Sequence, residues 1–246
     1  MKIRDASSIV LVDSRGREPR ILMGKRAAKH KFMPNIYVFP GGRVDYADRF
    51  GPVGLDYQDD TLDLLMQQMR GRTTALRAQM LGLAAIRETY EEVDLKIGIE
   101  TDTVHKTANP SWAAFSKDGL KADLSKLAYI ARAITPPGQN RRFDTRFFMA
   151  DVSTYLDSQQ AQSSEELEDV RWVTFEQTKE LPLHFITKRI LLSAKSGLEG
   201  LNSGKTQPNV AFYRPKAGSK DVAKIMTELR AGAAPLPPTE VEVEKT

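Results

Sequence analysis

The chain has 246 residues, 41% of them apolar and 28% charged, with a formal net charge of +4. That length can bury a core and that balance is globular, so neither wholesale disorder nor a fibrous class fits. There is no cysteine, which excludes a disulfide framework, zinc–thiolate sites and a cysteine nucleophile.

In chain order, SSIVLV (7–12) and RILM (20–23) read as strands joined by the turn-rich DSRGREP. NIYVFPGG (35–42) is a third strand, stopped by Pro40 and two glycines. DDTLDLLMQQMRG (59–71) carries apolar residues at helical spacing, and a second helix runs from about Thr74 to Val93. LAYIARAI and RRFDTRFFMADV are strands on either side of TPPGQN; DVRWVTF is another strand. Phe175 to Leu198 reads as mostly helical, and NVAFYRP as a last strand. From Ala231, AGAAPLPPTEVEVEKT has little to bury, which predicts a mobile tail (231–246) after a single domain over 1–230. Strands interleaved with long helices predict an α/β sandwich.

No apolar run approaches the ~20 residues that span a bilayer. The start, MKIRDASSIVLVD, lacks the continuous apolar stretch of a signal peptide. The expectation is a cytoplasmic protein with no membrane partner. Basic residues are scattered (RGREPR, KRAAKHK, NRRFDTR), which speaks against nucleic acid and suits a pocket for small anions.

AAIRETYEEVDL (84–95) carries the chemistry. On a helix of 3.6 residues per turn, Leu83, Ile86, Tyr90 and Val93 share a stripe to be buried. Glu88, Glu91 and Glu92 fall on the opposite side at i, i+3 and i+4. A solvated acidic face is the plain alternative. Against it, like charges at this spacing repel, Arg87 alone stands by to offset them, and acids near a helix C-terminus oppose the macrodipole. Hard divalent cations take carboxylate oxygens, so a cation amid the glutamates removes both penalties. Upstream, FPGGRVDYAD (39–48) delivers a strand into a glycine turn whose backbone at Gly41 and Gly42 can approach a ligand closely. An ordinary hairpin turn is the alternative there.

Taken together, Gly42, Asp48 and Arg87-Glu88-x-x-Glu91-Glu92 resemble the signature of the Nudix hydrolases. That signature is Gly, five residues, Glu, seven residues, then Arg-Glu-apolar-x-Glu-Glu-x-Gly-apolar. Three departures stand out. Asp48 replaces a glutamate, Asp94 replaces the closing glycine, and 38 residues separate Asp48 from Arg87 where the common box has seven. The resemblance implies a Nudix-type α/β/α sandwich with a mixed sheet and a helical insertion (about 49–80) inside the box. It implies Mg²⁺ or Mn²⁺ as cofactor and hydrolysis of a nucleoside diphosphate linked to another moiety. By motif position, Glu88, Glu91 and Glu92 are metal ligands. Glu88 also orients or deprotonates water, and Arg87 holds a glutamate in place. A further acidic ligand from a later loop falls on Glu166 in SSEELEDVRWV, with a solvated loop as the alternative.

The long insert, RDASSIVLV and FMPNIYVFPGGRVD look like a subgroup that includes peroxisomal-type coenzyme A diphosphatases. Leu22, Arg26, Ala27 and Phe39 to Gly42 match that group's signature in register. Lys31, Asn35 and Met23 depart from it. Gly41, Gly42, Arg26 and Lys31 then become substrate-binding candidates, the two cations for the 3′-phosphate that ADP-ribose lacks; unspecialised surface cations are the alternative. In ITPPGQNRRFDTRFF, Arg141, Arg142 and Arg146 flank a proline–glycine loop, and Arg142 is the chosen phosphate contact. ADP-ribose, dinucleotides and nucleotide sugars stay open as substrates. A non-catalytic ligand-sensing module is the reading from another class, although it would be expected to lose a helix glutamate. The expected partner is a small-molecule diphosphate, not nucleic acid; whether a homodimer forms stays open. His30, His105 and His184 have no metal-site spacing, and Trp112 and Trp172 read as packing residues.

Overall fold

The computed structural model describes residues 2–29, 34–67, 69–117, 119–204 and 207–214. In chain order the strands and helices begin with β1 (Arg4–Asp13), β2 (Arg20–Arg26), β3 (Tyr37–Val38), β4 (Gly41–Arg43) and β5 (Val53–Leu55). Then come α1 (Asp59–Met66), α2 (Ala75–Val93), β6 (Gly98–Glu100), α3 (Pro110–Phe115) and β7 (Leu120–Asp123). The last are β8 (Ala128–Ile134), β9 (Phe143–Asp151), β10 (Leu167–Thr174), α4 (Phe185–Asn202) and β11 (Ala211–Tyr213).

β1 shows why the sequence makes two cores. Its apolar run IVLV is buried on both faces, as a central strand requires. Ile9 and Leu11 point into a core with α1, α2 and α3, while Val10 and Val12 point into another with α4. The main sheet runs β10–β2–β1–β9–β8–β11, with β3 on β2 and β4 on β1. β1 pairs β9 in parallel and β2 and β4 antiparallel, so the sheet is mixed. Helices cover both faces, and the expected α/β/α sandwich is the architecture found. A small second sheet runs β5–β7–β6.

α2 positions the site. Thr74 caps it by accepting from the Arg77 amide, and the helix runs unbroken to Asp94. It lies against β1 and β4, so residues on its β4 side face the glycine turn. The interval 49–80 holds the end of a 3₁₀ turn (Tyr46–Phe50), β5, α1 and the first turns of α2.

Three local expectations change. The third strand divides into β3 and β4, because Pro40 has no N–H for the ladder; its carbonyl accepts from Ser8 Oγ (2.8 Å) and the Ile9 amide (3.0 Å). The stretch 175–198 holds a 3₁₀ turn (Gln177–Glu180), and after Pro182 helix α4 starts at Phe185 behind the cap residue His184. The small sheet and α3 come from segments too short to show a period. Trp112 is fully buried edge-on to Phe115, and Trp172 packs against the α2-side core, as expected of packing residues. Among the described residues no helix is long and apolar enough to cross a membrane. His30, Lys31 and the tail expected from residue 231 lie outside the described residues.

Candidate active site

The glutamate side of α2 is covered by chain rather than water: Arg87 is 7% exposed and Glu92 5%. The cover is β4 and the 3₁₀ turn that follows it. Glycine is required there. A Cβ on Gly42 would lie 2.5 Å from the Glu88 carboxylate, and one on Gly41 would lie 2.5 Å from the Ser7 carbonyl oxygen. The Gly41 amide, brought in by that close approach, donates to Glu92 Oε2 at 2.8 Å.

Arg87 organises the carboxylates. Its Nε and Nη2 donate to the two oxygens of Asp48 at 2.7 and 3.2 Å, while Nη1 donates to Glu88 Oε1 (2.8 Å) and Glu91 Oε2 (2.7 Å). Nη2 also reaches the Arg43 carbonyl at 3.2 Å. Asp48 is wholly buried, and it accepts from the Asp45 amide at 2.7 Å as the return half of a capping box. So the Asp that replaces the family's glutamate anchors the arginine and closes the turn. Glu91 takes a further hydrogen bond from Ser111 Oγ at the start of α3. Asp94, in place of the closing glycine, adopts the left-handed conformation (φ 56°) and returns its amide to Tyr90 O, as a helix-ending residue must.

Charge is out of balance. Asp48, Glu88 and Glu91 surround one guanidinium, and Glu92 lies buried nearby on the Gly41 amide. Burial works against the charge of Arg87, but Asp48, Glu88 and Glu91 outweigh it and keep the group protonated. Burial pushes the Glu88 carboxyl up to about 7 against the pull of Arg87, and Glu91 and Glu166 add to the rise. Glu92 is pushed up to about 8, again chiefly by burial, with the Gly41 amide and Arg26 opposing and Glu88 and Glu166 adding. Both buried carboxylates thus feel the charge of Glu166, and Glu92 that of Arg26. Glu166 is exposed, just before β10, and its carbonyl accepts from the Ala27 amide next to Arg26. A cavity of about 320 Å³ lies against Glu91, Glu92, Asp94 and the loop Gln162–Ser164.

An all-carboxylate donor set with too little positive charge fits a hard dication such as Mg²⁺ or Mn²⁺. Among the described residues, no three acidic or histidine side chains are gathered closely enough to hold an ion as they stand. Glu88 and Glu91 are turned onto Arg87, and Glu92 onto Gly41.

The structure therefore brings together Arg87, Glu88, Glu91, Glu92, Gly41 and Gly42, with Glu166 and Arg26 in their field. Arg142 stands apart in the β8–β9 hairpin, donating to the Thr135 carbonyl at 2.9 Å. Its neighbour Arg146 is no loop residue: it is buried in β9 beside Asp144. Ser111 and Gln162 escaped the sequence reading, which marked the SSEELEDVRWV loop for Glu166 alone, because only tertiary packing brings these polar residues to the glutamates. His105 meets the Phe50 carbonyl and His184 caps α4, so neither approaches the site.

No family model matches the chain. A Caenorhabditis elegans protein provisionally named nudix hydrolase 7 is 30% identical over 161 residues, which are 59% of this chain and 43% of that protein. The match thus spans less than half the length of this relative. The crystal structure of a NUDIX hydrolase from Alicyclobacillus acidocaldarius superposes with a TM-score of 0.59 at 24% identity, over 85% of this chain and 99% of the other. A C. elegans Ap4A hydrolase binary complex gives a TM-score of 0.46 at 14% identity, over 80% and 99%. The chain has the fold of a Nudix hydrolase.

Proposed function

We propose that the protein is a divalent-metal-dependent hydrolase of a nucleoside diphosphate linked to another moiety. The observation that carries this reading is the burial of Glu88 and Glu92 beside Glu91 with one arginine among them, which leaves a deficit of positive charge. Glu88, Glu91 and Glu92 would hold Mg²⁺ or Mn²⁺, with Glu166 at the rim. When bound, the ion neutralises diphosphate oxygens and lowers the pKa of the attacking water. Glu88 is poised near neutrality, which suits a group that accepts a proton from water at physiological pH. Arg87 is the positioning residue, fixing one oxygen of Glu88 and one of Glu91 while Asp48 fixes Arg87. Gly41 and Gly42 let β4 pack directly against Ser7 and Glu88, which holds the carboxylates in place, and Arg26, whose charge Glu92 feels, would serve a substrate phosphate.

Coenzyme A or an acyl derivative is the substrate we favour, on the motif register of Leu22, Arg26, Ala27 and Phe39 to Gly42. The test is product mass analysis on coenzyme A, ADP-ribose, a dinucleoside polyphosphate and a nucleotide sugar, with Mg²⁺ and with chelator. Coenzyme A should be cleaved fastest, to a phosphopantetheine fragment and adenosine 3′,5′-bisphosphate, and only with metal. Faster turnover of ADP-ribose would move the substrate assignment; no metal-dependent cleavage of any of them would sink the hydrolase reading.

A further inference from the structure

At the other end of α2 lies a larger cavity, about 750 Å³, lined by Lys2, Arg4, Arg43, Arg49 and Arg77 with the acids Asp5 and Asp45. Both acids are already engaged. Asp5 accepts from Arg77 Nε (3.1 Å) and Nη2 (2.6 Å), and Asp45 from the Ala47 amide (3.0 Å) and Arg43 Nη2 (3.2 Å). Among the described residues, Lys2, Arg4 and Arg49 have no carboxylate partner; Arg49 lies over the rings of Tyr46 and Phe50 instead. Tyr46 is 68% exposed at the cavity's edge.

The positive field is built more than one layer deep. Behind Asp5, at 3.8 Å, lies buried Arg146, which shares Asp144 with buried Arg132. Among the described residues, Nε and Nη2 of Arg146 have no hydrogen-bond partner. The cavity and its backing thus set seven cationic side chains against three carboxylates. The N-terminus of the 19-residue α2 adds its own partial positive charge.

This cavity and the glutamates share a wall. Gly42 abuts Glu88, the next residue's carbonyl accepts from Arg87, and the Arg43 side chain opens into the cavity. Arg77 and Leu81 lie on the same side of α2 as Glu88, because 11 and 7 residues are near-whole numbers of turns. At 1.5 Å per residue the axial offset is about 10–16 Å, which the reach of arginine and glutamate side chains shortens.

We propose that the cavity binds a second anionic group of the substrate, a phosphate remote from the scissile diphosphate, with Lys2, Arg4 and Arg49 as its contacts and Tyr46 as a face for the attached base. This rests on the diphosphatase reading and selects, within it, substrates that carry an additional phosphate.

The experiment measures binding rather than turnover. Calorimetry in Mg²⁺ compares adenosine 3′,5′-bisphosphate with adenosine 5′-monophosphate, neither of which contains a diphosphate to cleave. The full chain should bind the bisphosphate at least tenfold more tightly, the scale of one charge-assisted contact. Arg4→Glu combined with Arg49→Glu, two exposed positions, should erase that preference while circular dichroism stays native. Single Arg4→Gln and Arg49→Gln variants, milder in charge, should each reduce it. A preference that survives reversal overturns the proposal, as does its absence in the native chain. A second, independent equivalent of the monophosphate would mark an effector site and overturn the substrate role. Loss of hydrolysis in the panel above, with the preference intact, would instead fault the catalytic reading alone.

Discussion

Two buried charge clusters lie on the same side of the sheet and end in opposite states. In β8 and β9, Arg132 grips Asp144 with two hydrogen bonds (2.8 and 2.7 Å), and Arg146 adds a contact at 2.6 Å. Burial works against that carboxylate, yet the two guanidiniums hold it below the ordinary carboxylate range. At the C-terminal end of α2 the ratio is inverted: three carboxylates share Arg87 with Glu92 buried beside them, and Glu88 and Glu92 are pushed up to about 7 and 8. Burial alone does not separate a structural ion pair from a working site. The separating quantity is local charge balance, which at α2 leaves a place for an external cation.

The comparison breaks first at the catalytic end. Glu91→Gln or Glu92→Gln should lower Mg²⁺-dependent kcat by two orders of magnitude or more, on the order of 3 kcal/mol, with an unchanged circular dichroism spectrum. Each swap removes a charge and almost no volume, so near-native turnover in both would dissolve the metal site. At the structural end, Asp144→Asn should cost roughly 3–5 kcal/mol in urea unfolding, because Arg132 and Arg146 are left buried and uncompensated. In the same assay on chelated protein at pH 8, Glu88→Gln should cost nothing, since it removes a charge that burial disfavours. Equal losses from the two substitutions would erase the distinction.

A smaller effect sharpens it. The folded-state values of Glu88 and Glu92 lie above those of the unfolded chain, so the stability they contribute is present in full below about pH 4.5 and is lost as pH rises through 7 and 8. The melting temperature of chelated protein should therefore fall between pH 5 and 8.5. Mg²⁺ affinity should climb about tenfold or more from pH 6 to 8.5 as both protons leave. A flat affinity would mean that these carboxylates are not the ligands.

Much of this was legible in the sequence, for identifiable reasons. β1, β2, β8 and β9 are long enough to show their pattern, and α2 announces itself by Leu83, Ile86 and Val93 and by its cap residue Thr74. The clustering of Arg87, Glu88, Glu91 and Glu92 was readable from their spacing because a helix converts i, i+3, i+4 directly into proximity. The partners of those residues were not readable. That Asp48 would serve Arg87 depends on a turn folded 39 residues upstream. That Arg146 would be buried depends on β9 lying between β1 and β8; read locally, RRFDTRFF is a strand whose arginines flank a proline–glycine loop and could face a phosphate. β5, β6 and β7 have three or four residues each, too few for alternation to register.

The hydrogen bond from the Gly41 amide to Glu92 makes the glycine turn a natural reporter. An amide proton donated to an ionised carboxylate resonates far downfield and exchanges slowly with solvent; once that oxygen is shared with a proton or a cation, it moves upfield and exchanges faster. A single backbone resonance, observed without substrate or turnover, would thus register the occupancy of the carboxylate cluster, and Gly197 in α4, remote from it, would serve as the internal reference.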